Sequence, residues 1–123
     1  MPFSGNKVDN YSYIKQLIDE IKINYYNRMR VKFSKSDIEG KKMKAVFYDG
    51  DKKVKTTHFG SASGSSFINH KDEKIKDAWL ARHKVNENWN DYMSAGSLAR
   101  YILWNKETIT SSIEDYKKRF KLT

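Results

Sequence analysis

Apolar residues along this chain recur with two different periods, and each period predicts a different kind of element. From Tyr11 to about Arg28, Ile14, Leu17, Ile18, Ile21 and Tyr25 return at the three-and-four spacing of one helix face, with Asp9 or Asn10 placed to cap its start. The segment VKFSKSD alternates instead, Val31 and Phe33 with lysines between and after them, which predicts a strand, and Glu39-Gly40 turns the chain. KKMKAVFY and KVKTTHFG flank the turn DGDK, whose Asp-Gly pair signals a tight hairpin. Helical spacing resumes from Asp72 to about Val85, with Ile75, Ala78, Trp79 and His83 on one side. Asp72 and Glu73 suit the start of that helix, and Arg82, His83 and Lys84 suit its end, because the aligned peptide dipoles favour those charges there. NENWNDYMSAG, residues 86–96, reads as loop, and a third helix follows from Ser97 to about Trp104. Ser111 and Glu114 have capping-box spacing for a fourth, whose buried side is marked by Ile113, Tyr116 and Phe120.

The predicted fold class is α+β: a small antiparallel β-hairpin or three-stranded sheet packed with about four helices. Residues 1–40 form an N-terminal helical extension with a possible strand, and residues 41–123 form the core of one compact unit. If Gly50 and Asp51 close the hairpin turn, facing residues keep a constant index sum, so Tyr48 pairs with Lys53, Val46 with Lys55, Lys44 with Thr57 and Lys42 with Phe59. One face then carries Lys42, Lys44, Lys53 and Lys55 around Val46, Tyr48 and Phe59. The other carries Met43, Ala45, Phe47, Val54, Thr56 and His58. The second set supplies the apolar face a small domain must bury, which leaves the lysine face for solvent.

Charge sharpens this division. The 123 residues carry a formal net charge of +9 and a pI near 9.6. Six Lys/Arg against two Asp/Glu in residues 41–60 put +4 of that on the hairpin alone. Such a balance favours polyanionic partners through counterion release and long-range steering. No run of about 18 apolar residues is present, so no membrane span is expected. The start, MPFSGNKVDN, lacks the apolar stretch of a signal peptide. With no cysteine, disulfides, thiolate metal sites and a Cys nucleophile are excluded, and a reducing intracellular compartment is the natural setting.

Catalytic patterns are missing. The three histidines, His58, His70 and His83, show no close metal-ligand spacing such as H-E-x-x-H. His58 is expected in the core on the apolar hairpin face, His70 as an aid to capping the second helix, and His83 one turn after Trp79, packed on its indole. GSASGSS, residues 60–66, reads as a flexible connection; no Gly-Lys-Ser/Thr follows, so it is not the phosphate-binding P-loop. Placed on the nucleophile-elbow frame, Gly60 to Gly64 has Ala62 at its centre. The expectation is a protein that is not an enzyme and uses no cofactor or metal. What remains is a basic surface with aromatics: Lys42, Lys44, Lys53 and Lys55, with Tyr48 and Phe59 to stack on bases and Lys117, Lys118 and Arg119 adding charge.

Five separated motifs occur in order: TTHFG at 56–60, NHKDEK at 69–74, ARHKVNENWND at 81–91, AGSLARYILWNK at 95–106 and SIEDYKKRF at 112–120. Together they resemble a family of small basic proteins, largely of unknown function, encoded by giant nucleocytoplasmic DNA viruses and their environmental relatives. The matching positions are His58, Phe59, Gly60, His70, Lys71, Asp72, Arg82, His83, Asn88, Trp89, Gly96, Arg100, Trp104 and Lys106. The resemblance covers about two thirds of the chain and omits the first forty residues, and the serine-rich GSASGSS departs from it. By residue type, Gly60 and Gly96 suit backbone-geometry positions and Trp104 suits the core, while Lys71, Asp72, Arg82 and Arg100 suit either an internal salt-bridge network, the favoured reading for Asp72 and Arg82, or a partner-facing patch. The resemblance implies a viral setting, in the host cytoplasm at the viral factory and in the virion, without secretion. It carries no described reaction. The functional expectation is therefore sequence-independent binding of nucleic acid through the lysine-rich hairpin. The alternative is a virion structural protein, a minor capsid or cementing component, whose basic face meets acidic surfaces of capsid or core proteins and whose anchor is Trp89 or the N-terminal helix.

Overall fold

The computed structural model describes residues 7–123, with side chains at 11–21 and from 29 onward. The chain runs through α1 (Lys7–Arg28), β1 (Met29–Lys35), β2 (Lys41–Asp49), β3 (Lys52–Ser61), α2 (Phe67–His70), α3 (Glu73–Lys84), α4 (Ala95–Leu98), a π-helical turn (Ala99–Leu103) and α5 (Ile109–Phe120). The class is α+β, a three-stranded antiparallel sheet in the order β1-β2-β3 with helices against it. β1 belongs to the sheet and pairs along its whole length, from Met29 opposite Asp49 to Lys35 opposite Met43. Its outer edge is closed by the end of the chain, where Val31 N–H donates to Thr123 C=O at 3.0 Å and Thr123 N–H donates to Met29 C=O at 3.1 Å. That contact satisfies an edge that would otherwise offer unpaired backbone groups.

One correction to the hairpin decides the rest. Near the turn the expected register holds, with Tyr48 opposite Lys53 and Asp49 opposite Lys52. Between Phe47 and Tyr48 the ladder shifts: Phe47 faces Lys55, so Val54 is an extra residue on β3, and beyond it Ala45 faces Thr57 and Met43 faces Phe59. This is a β-bulge, and one inserted residue reverses which side chains of β3 point inward. Phe59, expected on the lysine face, is fully buried, and Thr57 is buried beside it. His58 and Thr56, expected inside, move to the other face. Val54, expected on the apolar face, is exposed.

The core forms where the apolar sheet face meets the C-terminal helices. Val31, Ala45, Phe47 and Phe59 pack with Leu98, Ile102, Leu103, Trp104 and Tyr116. Phe33 stands edge-on to both Phe59 and Tyr116, with ring centroids at 6.4 and 5.7 Å. Each fully buried Val, Leu, Ile or Phe side chain among them contributes about 1.5–3 kcal/mol, and the aromatic pairs add to it. Tyr116 is enclosed completely, its hydroxyl donating to Tyr92 C=O, and burial pushes its pKa above the ordinary tyrosine range.

Local signals set the helix ends. Asp72 Oδ1 accepts from Lys74 N–H and Ile75 N–H at 2.9 and 3.3 Å, which caps α3. Thr108, three residues ahead of the expected Ser111 start, caps α5 by accepting from Ser111 N–H at 3.1 Å. The third expected helix begins at Ala95, capped by Ser94, and widens into the π turn, where Trp104 N–H reaches back to Ala99 C=O. α1 starts at Lys7, ahead of the expected cap; the side chains of Asp9, Asn10 and Tyr25 lie outside the described residues. Its apolar stripe does not pack on this domain, since Ile14, Leu17, Ile18 and Ile21 are all exposed.

Candidate nucleic-acid interface

The face of the sheet turned away from the core is basic and open. Val31 and Phe33 point inward, so Arg30, Lys32 and Ser34 on β1 point outward, beside Tyr48, Val46 and Lys44 on β2. Lys53, Thr56 and His58 complete the face on β3. Lys32, Ser34, Lys53 and Thr56 are exposed, so none of the described helices roofs this surface.

Tyr48 is its centre. The Arg30 guanidinium carbon lies 5.3 Å and Lys32 Nζ lies 5.6 Å from the Tyr48 ring centroid, while Lys53 sits directly across the strand pair. Both cations are within the range where the negative ring face attracts them. Arg30 is held in place by donating from Nε and Nη2 to Gly50 C=O, at 3.1 and 2.8 Å. Its carboxylate neighbour, Asp51, is 3.7 Å away and fully exposed, so that pairing adds little.

The other expected site residues fall in different places. Lys44 pairs with Asp37 at 3.5 Å; a backbone hydrogen bond first, and Lys44 second, hold the Asp37 carboxyl below its ordinary pKa. Lys42 turns away from the face's centre and donates to Gly64 C=O at 2.8 Å. Lys55 is exposed but stands opposite Phe47, beyond the bulge, and so belongs to the rim on the other side. Phe59 is fully buried in the core, edge-on to Phe33, and cannot stack on a base. Lys117, Lys118 and Arg119 ride on α5, which packs against the apolar face through Tyr116, so they do not extend the basic surface. Arg119 is also engaged, 3.5 Å from Asp115 and with its guanidinium carbon 4.8 Å from the Tyr101 ring centroid.

Arg30 and Lys32 were not among the expected site residues. The signal was present, because any strand that buries Val31 and Phe33 must turn residues 30 and 32 outward.

The histidines lie apart. His58 Nδ1 is 2.8 Å from Ser36 Oγ on the open face, a correction to its expected place in the core. His70 Nδ1 accepts from Asp72 N–H at 2.9 Å, and His83 stacks on Trp79 with centroids 4.0 Å apart. Asp72 caps its helix instead of pairing with Arg82, which makes no ion pair among the described residues. Trp89 lies under Arg100, whose guanidinium is itself held below its ordinary pKa by burial.

Residues 31–83 match a family model described as a family of unknown function (DUF5754). An uncharacterized protein of Acanthamoeba polyphaga mimivirus is 31% identical over 99 residues, an overlap of 76% of this chain and 98% of the relative. The chain belongs to this giant-virus family of unknown function. No solved structure matches it. The DUF5754 stretch runs from Val31 in β1 to His83 near the end of α3, so it contains Lys32, Tyr48 and Lys53 and stops before α5. No described helix is long and apolar enough to cross a membrane.

Proposed function

We propose that this DUF5754 protein is a non-catalytic binding protein that holds nucleic acid without sequence preference on the open face of its sheet. The observation that carries the reading is the Tyr48 ring flanked by Arg30 and Lys32 at 5.3 and 5.6 Å, with Lys53 across from it, on a face that none of the described helices covers. An aromatic ring among cations meets two needs of a single strand at once, stacking for a base and neutralisation for its phosphates. Backbone contacts of this kind read charge and carry no sequence information.

A gel-shift or filter-binding titration of single-stranded DNA and RNA at low salt tests it. The reading predicts retention that weakens steeply with added salt, and it fails if neither nucleic acid is retained.

A second reading, a structural component of the virus particle, is favoured by the exposed stripe Ile14, Leu17, Ile18 and Ile21 on α1, which a protein partner would cover. Mass spectrometry of purified particles tests it: stoichiometric presence in a genome-free shell fraction is the expected result, and absence from the particle rejects it.

A further inference from the structure

Beside the sheet, a cleft of about 770 Å³ opens between the loop after β3 and the C-terminal end of α3. That volume is within the range of small-molecule sites, and its lining is mixed in character. The floor is aromatic and apolar. Trp104 stacks on Trp79 at 5.0 Å with planes 9° apart, His83 also stacks on Trp79, at 4.0 Å, and Leu103 adds an apolar side chain to the lining.

Two glycines make room for this floor and rim. Gly60 has φ +79°, and a Cβ there would come 2.7 Å from Leu103 Cδ1. At Gly96 a Cβ would collide with the Glu87 carboxylate, which lies against the bare backbone.

The charges around the cleft are of both signs and do not neutralise each other. Lys42 and Arg82 line it, Lys42 Nζ donating only to the Gly64 carbonyl, and neither cation pairs with a carboxylate among the described residues. Glu87 lines the same cleft without an ion pair among the described residues. His83 Nδ1 is 2.9 Å from Trp79 C=O; because a carbonyl only accepts, Nδ1 carries a proton and Nε2 is left for another partner. Ser61 and Ser65 add hydroxyls to the lining.

A purely anionic ligand would meet Glu87, and a purely apolar one would strand the cations. The lining, with two cations, a carboxylate and an aromatic floor, fits a ligand that combines an anionic group, hydrogen-bond donors and a flat apolar body. We propose that this cleft binds a nucleoside phosphate, its phosphate taken by Lys42, Arg82 and the serine-rich loop and its base amino or sugar hydroxyl group taken by Glu87. This site is separate from the open sheet face and does not rest on the function proposed for it. The ligand has two possible sources, a free nucleotide or the terminal nucleotide of a strand.

Trp79 and Trp104 line the cleft, so tryptophan fluorescence reports its occupancy. The test is a titration with dAMP, deoxyadenosine and inorganic phosphate on the wild type and on the Arg82→Gln and Glu87→Gln variants, each first matched to wild type in melting temperature. The expected result is saturable quenching by dAMP, about tenfold weaker for deoxyadenosine and for phosphate, and about tenfold weaker for dAMP in either variant. Glu87→Gln should also strengthen phosphate binding, because it removes a repelling charge. Absence of saturable quenching by dAMP, phosphate binding as tightly as dAMP, or variants indistinguishable from wild type would each overturn the proposal. Competition assigns the source: a 5′-phosphorylated oligonucleotide that displaces dAMP better than its 5′-hydroxyl counterpart marks a strand end, and failure of both to displace it marks a free nucleotide. Gel-shift retention of long single strands by Arg82→Gln reads the sheet face independently of this outcome.

Discussion

The two faces of the sheet are built from the same three strands and yet do opposite things. The inner face buries Val31, Ala45, Phe47 and Phe59 against the C-terminal helices, where a lost methylene is felt throughout the packing. The outer face presents Arg30, Lys32, Tyr48 and Lys53 to solvent, with Arg30 anchored on Gly50 C=O and paired to the exposed Asp51, and Lys44 paired to Asp37 at the margin. What separates them is the bulge at Val54, which brings two lysine-alternating strands into phase with a common core. Without it, Phe59 would sit among the lysines and His58 in the core. The difference teaches that the alternation on each strand is a local property, whereas the composition of each face depends on one inserted residue.

The sharpest way to break the comparison is to shift the phase of β3 beyond that residue. Inserting one alanine between Thr56 and Thr57 should place His58 opposite Met43 and Phe59 opposite Lys42, turning Phe59 outward and abolishing cooperative unfolding in a thermal or urea melt. A chain that still folds with a native-like melt would show that the phase set at the bulge does not decide the faces. Next in size, Phe59→Ala should destabilise by about 3–5 kcal/mol in urea denaturation through the cavity it leaves. Tyr48→Ala, the equivalent truncation on the open face, should change stability by less than about 1 kcal/mol while weakening binding. Equal losses for the two would erase the distinction between the faces. Thr108→Ala should remove about 1 kcal/mol by leaving the first turn of α5 uncapped, with binding unchanged.

The smallest effect is one of pH. Burial pushes the Asp115 carboxyl up, but the Asn105 amide at 2.7 Å, with Arg119 and Lys106, outweighs it and holds the pKa below the ordinary aspartate value. A depressed native pKa adds stability above the unfolded value, near 4, and loses it as pH falls toward the native one. The melting temperature of wild type should therefore drop more than that of Asp115→Asn between pH 5 and pH 2, though other carboxylates contribute to both.

Much of the fold was legible because its signals are local. The Asp-Gly turn, the Asp72 cap and the spacing of Ile113, Tyr116 and Phe120 each act over a few residues, and each reappears in the structure near its expected place. His83 on Trp79 and the closely packed Gly60 and Gly96 were likewise readable from spacing and residue type. The bulge was not, because Val54 carries no turn or glycine signal and only packing in the core formed with the C-terminal helices selects Phe59 over His58 for the interior. The site shared this fate: Tyr48 and Lys53, on the turn side of the bulge, stayed where expected, whereas Phe59 and Lys55, beyond it, did not. Lys117, Lys118 and Arg119 were misplaced for a different reason, since sequence cannot say against which sheet face α5 packs.

The most direct test of the binding account is the salt dependence of single-stranded DNA affinity for wild type and for a variant with Arg30, Lys32 and Lys53 all changed to Gln. The account predicts a logarithmic salt slope smaller by about three in the variant, roughly one per cation removed, with the melting temperature little changed. A slope that stays the same in a folded variant would contradict it.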